Sequence, residues 1–180
     1  MKQIDATDLW KWAYSDFLSN AQRGVLAEYI VAIAAGCIEK RRVEWDACDL
    51  RAASGMKIEV KCGAYLQSWE QKTHSAIRFD IAPKRGWTNE YAQVATRSSH
   101  VYVFCVFAAK EKSTADPLDL DQWFFLACPT RALNERFGNQ KSVSLSALEA
   151  LALPRLGFEA LRGELHRMAT DPSITVDHSW

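Results

Sequence analysis

The stretch CDLRAASGMKIEVKC, residues 48–62, alternates apolar and charged side chains on both sides of a short polar loop. If residues 53–55 form that loop, Gly55 takes the position that requires a positive φ, which glycine adopts at little steric cost. The flanking residues then form a β-hairpin in a defined register. Its facing pairs are Arg51 with Lys57, Leu50 with Ile58, and Asp49 with Glu59.

This register separates the side chains of the hairpin by polarity. One face carries the charged residues Asp49, Arg51, Lys57, Glu59 and Lys61. The other face carries the apolar residues Leu50, Ala52, Met56, Ile58, Val60 and Cys62. A two-residue loop would mix the two sets, so burial of the apolar face favours the three-residue loop.

Around the hairpin, hydrophobic periodicity predicts a mixed α/β fold with a central sheet flanked by helices. Strand 100–107 (HVYVFCVF) is continuously apolar apart from its first residue, which predicts a central strand covered on both faces. We expect one domain over residues 1–180, with a core at about 21–107 and a C-terminal helical elaboration at about 108–180. Further strands are predicted at 47–52, 56–62, 76–82 and 122–128, and helices at 8–19, 21–36, 88–97, 130–137, 144–152 and 157–168.

The opposed acids of the hairpin suggest a metal site. The Cβ atoms of Asp49 and Glu59 are expected about 4.5–5.5 Å apart, and like charges at that distance are destabilising. Lys61 on the same face supplies only part of the compensating charge. Mg²⁺ would supply the rest, because it prefers hard oxygen ligands and usually takes one or two carboxylates. The alternative is a surface hairpin with solvated charges, and the hairpin alone does not separate the two.

Glu28 is the one charged residue of the helical segment VLAEYIVAIAA, residues 25–35. Burial of an unpaired carboxylate is unfavourable, so this side chain is expected to be protonated, paired or bound to a metal. The alternative is that Glu28 lies on a narrow exposed edge of the helix. The apolar composition of the segment favours burial.

Together these residues resemble the PD-(D/E)xK, or restriction endonuclease-like, nuclease superfamily. The matching residues are Asp49, the triplet Glu59-Val60-Lys61, and Glu28 on the preceding helix. The order helix, three strands, helix, strand is also similar to the αβββαβ core of that superfamily. Cys48 stands where the nominal motif has proline, a change that removes no ligand.

The resemblance implies a nuclease that depends on Mg²⁺ or Mn²⁺. By it, Asp49 and Glu59 would bind the metal, with the carbonyl of Val60 as a further ligand. Lys61 would assist the attacking water, and Glu28 would bind the metal, a water on it or a second ion. Residue Gln67 resembles a glutamine that some branches place near the substrate.

Basic residues outnumber acidic ones downstream of the triplet. A groove lined by them and by the nearby aromatic rings would hold a phosphate backbone and stack bases. The alternative is a scattered, solvated surface with core aromatics. The basic residues are Lys72, Arg78, Lys84, Arg85 and Arg97, of which the first four are the candidate nucleic-acid contacts, and the aromatic residues include Trp69, Trp87 and Tyr91.

Two interpretations of function follow. The first is a metal-dependent endonuclease or exonuclease of the restriction or repair type. DNA is the favoured substrate, although no feature of the sequence excludes RNA. The second is a non-catalytic protein that retains the nuclease fold as a binding or assembly module. The presence of Asp49, Glu59 and Lys61 favours the first, and a homodimer is left open.

Overall composition agrees with either interpretation. The chain has 22 basic and 22 acidic residues, which argues against binding by bulk electrostatics but allows a local metal centre beside a basic groove. Five cysteines without C-x-x-C spacing predict reduced thiols in a cytoplasmic protein. The N-terminal segment lacks the apolar region of a signal peptide, and the longest apolar run, residues 25–37, is too short to cross a bilayer.

Overall fold

The structure is a computed structural model, and it describes residues 3–38, 42, 48–85 and 93–175. Helices alternate with short strands along the chain, which confirms the predicted mixed α/β class. Among the described residues, no helix combines the length and apolar character needed to cross a membrane. The helices are α1 Ala6–Tyr14, α2 Asn20–Ala35, α3 Thr130–Phe137, α4 Leu145–Glu149, α5 Phe158–Ala169 and α6 Pro172–Thr175, and the strands are β1 Leu50–Arg51, β2 Lys57–Ala64, β3 Arg78–Asp80, β4 Val101–Phe107, β5 Trp123–Pro129 and β6 Ser142–Ser144.

The main sheet has four strands in the order β1-β2-β4-β5. Strands β2 and β4 run parallel, while β1 and β5 are antiparallel to their neighbours. Every residue of β4 is buried, as its continuous apolar sequence predicts. Helices α2 and α5 cover one face of this sheet and form a core with Ile58, Val60 and Val103.

The hairpin adopts the predicted register. Leu50 pairs with Ile58 and Arg51 pairs with Lys57, and Gly55 has a φ of 88° at the last loop position. Strand β1 is nevertheless only two residues long, because the chain leaves the antiparallel ladder before Leu50. The apolar face of the hairpin is buried against α2 and α5, which explains why the register is fixed.

The third predicted strand does not join the main sheet. Strand β3 pairs instead with β6 in a separate two-stranded sheet. Strand β4 pairs with β2 from Ile58 to Ala64 on one edge, while β1 pairs with it only at Lys57 and Ile58 on the other. Strand β3 packs on the face of the main sheet, where Phe79 contacts Phe104 at a ring distance of 5.0 Å.

Gly63 in β2 makes this packing close. A Cβ atom at this position would lie 2.6 Å from Cγ2 of Ile77 and 3.1 Å from a ring carbon of Phe79. The second core lies on this face of the sheet, between β3, β6, α3 and α4. Its members include Ile81, Leu126, Leu133, Val143 and Leu148.

Two predicted helices differ in the structure. Residues 88–92 of the predicted helix 88–97 lie outside the described residues. Residues 93–97 are not helical, because Thr96 pairs with Lys84 through two backbone hydrogen bonds of 2.9 Å. The predicted helix 144–152 ends at Glu149, and Ala152 has a φ of 56°. The C-terminal third supplies β5 to the sheet as well as helices, so it is more than a helical addition.

Candidate active site

Asp49 lies where β1 would continue along β2. Its Oδ2 atom accepts a hydrogen bond of 2.7 Å from the backbone nitrogen of Val60. The carboxylate thus replaces the backbone acceptor that a longer β1 would have supplied. In an antiparallel pair, the N–H and C=O groups of a bonded residue point to the same neighbour. The carbonyl of Val60 is therefore directed to the same edge as Asp49.

Glu59 projects from β2 on the charged face of the hairpin and is 7% exposed. Its Oε1 atom lies 2.7 Å from Nζ of Lys61 and 3.2 Å from Nζ of Lys84. The hydroxyl of Ser99 donates to Oε2 at 3.4 Å. Burial alone raises the pKa of Glu59, but the two ammonium groups outweigh it, and the net pKa lies below the usual value.

The pKa of Asp49 is shifted in the opposite direction. Burial raises it, and the negative charge of Glu59 raises it further, while the Val60 hydrogen bond and Lys61 oppose the shift. The charge of Glu28 also raises it. The structure therefore brings Asp49, Glu59 and Glu28 close enough to interact electrostatically, with Lys61 between the sheet acids.

Glu28 lies on α2 and its side chain is 16% exposed. Arg42 donates to both carboxylate oxygens, with distances of 2.5 Å from Nε to Oε2 and 3.0 Å from Nη2 to Oε1. Of the three predicted states, the structure shows the paired one. Arg42 was not predicted, since nothing in its polar sequence context marks it as a partner for Glu28.

Lys84 was predicted as a phosphate contact, and the structure places it on Glu59. The backbone of Lys84 pairs with that of Thr96, and its side chain is 64% exposed although its ammonium contacts Glu59. Ser99, like Lys84, joins the acids from outside the hairpin. No sequence signal connects Ser99 or Lys84 to Glu59, because they are 40 and 25 residues away.

Gln67 is buried and its side chain is used in a different network. Its Oε1 atom accepts from Nη2 of Arg23 at 3.2 Å, and its Nε2 atom donates to the Ala64 carbonyl and to Ser75 at 3.4 and 3.2 Å. The structure thus directs these hydrogen bonds to α2 and to the loop after β2. None of the hydrogen bonds in the described residues joins Gln67 to Asp49 or Glu59.

The basic residues predicted to line one groove differ in their exposure. Lys72, Arg78 and Arg85 are exposed, and Arg78 donates to Ser142 at 3.0 Å. Arg97 is buried, so the prediction that it lines the basic groove is wrong. Its guanidinium donates to the carbonyls of Ile81, Gly138 and Gln140 and to the side chain of Asn134. Trp87 and Tyr91 lie outside the described residues.

The cavities lined by described residues include two of several hundred cubic ångströms. One of about 700 Å³ lies between the end of α2, the hairpin loop and α5. The other, of about 540 Å³, lies between the segments that follow β2 and β4. Neither of these two cavities is lined by Asp49 or Glu59.

The donor set around Asp49 fits a hard divalent cation. In the described part of the chain, His, Cys, Asp and Glu side chains form no group of three or more that could hold a metal ion. Mg²⁺ does not need such a group, since it takes one or two carboxylates and completes its shell with waters and phosphates. Burial is the main cause of the raised pKa of Asp49, and the negative charge of Glu59 adds to it, so a cation at these oxygens would favour the ionised carboxylate.

Comparison with known proteins gives one family. The family model described as bacteriophage T4 endonuclease IV matches residues 9–147, which is more than half of the chain. The matched range includes Glu28, Asp49, Glu59, Lys61 and Lys84, and it ends before α5. A search of curated proteins finds no match.

Proposed function

The chain belongs to the bacteriophage T4 endonuclease IV family, a family of nucleases, and on that premise we propose that it hydrolyses phosphodiester bonds of DNA at Asp49, Glu59 and Lys61. We further propose that this cluster is a PD-(D/E)xK site. The observation that carries the proposal is the hydrogen bond from Val60 to Asp49, because it fixes one carboxylate beside a second that already contacts an ammonium group.

Asp49 and Glu59 would hold Mg²⁺ or Mn²⁺, together with the Val60 carbonyl. Such an ion supplies Lewis acidity at the phosphate and favours ionisation of water. In the reaction, water adds to phosphorus, the bond to the leaving sugar oxygen breaks, and that oxygen gains a proton. The chain itself supplies the orientation and the fixed charges for this step.

Lys61 is the group best placed to act on the reacting atoms. Its ammonium is held 2.7 Å from Oε1 of Glu59, and its side chain is only 18% exposed. From there it orients the attacking water and stabilises negative charge that develops on the phosphate. Glu28, paired with Arg42, acts electrostatically on Asp49 and would add to the negative potential that attracts a cation.

Lys84 would bind the substrate rather than the water. Its exposed side chain has room to move from Glu59 to a neighbouring phosphate, and departure of this ammonium would leave Lys61 as the remaining ammonium on Oε1 of Glu59. The superfamily resemblance assigns no such lysine; the role rests on the basic stretch in which Lys84 lies and on its contact with Glu59.

We also place the protein in a reducing compartment such as the cytoplasm. All five cysteines are among the described residues, and none is in a disulfide. Burial raises the pKa of Cys62 to about 11 and that of Cys128 to about 12, so these thiols stay protonated and unreactive at neutral pH.

The test is cleavage by the purified protein of supercoiled plasmid, linear duplex, single-stranded DNA and RNA, with Mg²⁺, Mn²⁺ or EDTA. We expect DNA cleavage that requires the metal and is lost in Glu59→Gln and Lys61→Ala. Glu135→Gln is the matched control, because Glu135 is an exposed glutamate on α3. Cleavage that survives both site substitutions would overturn the assignment, and absence of cleavage on every substrate would favour the binding module.

A further inference from the structure

The cavity between the segments after β2 and β4 has the chemistry of a nucleic-acid subsite. We propose that this loop cleft, lined by Leu66, residues 69–74 and residues 110–112, binds the substrate strand several nucleotides from the cleaved bond. Lys72 and Lys110 would contact phosphates, and the indole of Trp69 would stack on a base. The inference rests on the proposed function.

The cleft is built by specific hydrogen bonds. The side-chain oxygen of Gln71 accepts from the backbone N–H of Gln67 at 2.7 Å. Its side-chain nitrogen donates to the Tyr65 carbonyl at 3.3 Å and to the Ser75 hydroxyl at 3.0 Å. These bonds fold the loop after β2 upon itself. Its shape is therefore set before any ligand arrives, which lowers the entropy lost on binding.

The two sides of the cleft are also joined to each other. His74 hydrogen-bonds the Lys110 carbonyl at 3.0 Å, and Nζ of Lys112 donates to the Ser68 carbonyl at 2.9 Å. The ammonium of Lys112 also reaches the Trp69 carbonyl at 3.5 Å. Lys112 thus positions the tryptophan. The ammonium of Lys110 lies 5.1 Å from the centre of the Tyr65 ring, a contact that occupies none of its N–H donors, so Lys110 and Lys72 are the candidate phosphate contacts.

Trp69 is the residue that indicates a base. Its side chain is large and apolar, yet the residue is 56% exposed at the mouth of the cleft. An exposed aromatic ring beside basic residues is typical of surfaces that stack nucleobases while cations follow the phosphates. Three lysines and His74 line the cleft against Glu70 and Glu111, so its net charge is positive.

The loop cleft lies where a nucleic-acid strand bound at Asp49 and Glu59 would reach it. Both walls follow the C-terminal ends of β2 and β4, two adjacent parallel strands, and Glu59 lies on β2 itself. Leu66 follows Glu59 by seven residues, which is at most about 23 Å of extended chain. A nucleic-acid strand that advances about 3.4 Å per nucleotide covers that distance in about seven nucleotides, and a more extended strand in fewer.

The experiment measures the affinity of labelled DNA oligonucleotides in EDTA by fluorescence anisotropy, with single-stranded and duplex oligonucleotides of about 20 nucleotides and short ones of about 4. We expect Trp69→Ala to weaken binding of the long single strand about tenfold and to leave the short one unchanged. Lys72→Ala with Lys110→Ala should reduce the salt dependence of binding by about two charges.

Matched controls separate the cleft from general surface effects. Trp12→Ala removes a tryptophan that is 84% exposed on α1, and Lys141→Ala removes an exposed lysine outside the cleft. Both should bind as the unmodified protein does. Equal weakening by Trp69→Ala and Trp12→Ala, or weakening by neither, would overturn the inference.

Cleavage kinetics distinguish the failure of this inference from that of the proposed function. In the presence of Mg²⁺, Trp69→Ala should raise KM for the long strand and leave kcat unchanged. Cleavage that is independent of Trp69 would overturn the cleft while the function stands. Binding that depends on Trp69, in a protein that cleaves nothing, would overturn the catalytic assignment and support the cleft.

Discussion

Two polar regions lie along β2, and they use their charges differently. Around Arg23 and Gln67, a buried guanidinium is surrounded by neutral oxygen atoms: Nη1 donates to the Leu18 and Leu66 carbonyls at 2.6 and 3.3 Å, and Nη2 donates to Gln67 at 3.2 Å and to Asn20. Around Asp49, two carboxylates of like charge are held together instead.

The difference separates polar groups that fasten the chain from those that act chemically. Arg23 and the likewise buried Arg97 join segments that are distant in sequence, and neutral acceptors satisfy most of their donors. Asp49 is held partly buried beside the like charge of Glu59, and burial first and that charge second raise its pKa, so its ionised form is disfavoured in the folded protein. Such local destabilisation is typical of sites kept for function.

The largest expected effect comes from Asp49→Asn. The amide oxygen still accepts from Val60, so the hairpin is retained, while one negative charge is removed. We expect cleavage to fall by about 10³-fold and the free energy of unfolding to stay equal or rise, measured by initial rates and urea denaturation. A variant that loses activity only in proportion to its stability would show that Asp49 is structural.

The opposite pattern is expected for Arg23→Met. This change leaves the Gln67 oxygen, the buried Leu66 carbonyl and the partly buried Leu18 carbonyl without their donor, and each buried unsatisfied group costs about 1–3 kcal/mol. We expect the free energy of unfolding to fall by about 3 kcal/mol, while cleavage per folded molecule stays near normal. Arg162→Met, at an exposed arginine on α5, is the control. Direct loss of kcat in folded Arg23→Met would erase the distinction between the two regions.

Gly63 stands between the two regions on β2, and Gly63→Ala tests whether they are independent. The new methyl group would overlap Ile77 and press on Phe79, so β3 must move. We expect a loss of about 1–3 kcal/mol in the free energy of unfolding. Gly157→Ala is a control with space for the methyl group. An unchanged stability of Gly63→Ala would mean that β3 does not pack on the sheet as described.

The smallest effect is expected for Lys84→Ala. Because Lys84 is exposed and Lys61 remains on Glu59, we expect kcat/KM to fall about tenfold through KM. Lys84→Arg should restore most of the loss, since a guanidinium also binds phosphate. A fall in kcat as large as that of Lys61→Ala would place Lys84 on the reacting atoms.

The sequence predicts the elements whose partners are close along the chain. The alternation of residues 48–62 and the glycine of the loop determine the register of Leu50 with Ile58 and of Arg51 with Lys57, whereas Asp49 lies beyond the end of β1 and its pairing with Glu59 stays a prediction. The continuous apolar strand β4 was predicted for the same kind of reason, because burial on both faces leaves a composition that can be recognised.

Contacts between distant segments could not be predicted in this way. The pairing of β3 with β6 joins residues about 64 positions apart, and the periodicity of neither segment indicates the other as its partner. Gln67 was assigned to the substrate, but its partner Arg23 is 44 residues away. Arg97 belonged to a basic stretch by sequence, and only its acceptors beside α3 show that it is buried.

The most direct measurement is the position of Mn²⁺ located by anomalous scattering in crystals of the protein. We predict a single strong peak between the carboxylates of Asp49 and Glu59, within coordination distance of the Val60 carbonyl, and its loss in Asp49→Asn. A peak bound elsewhere, or none at these acids under conditions that support cleavage, would contradict the account.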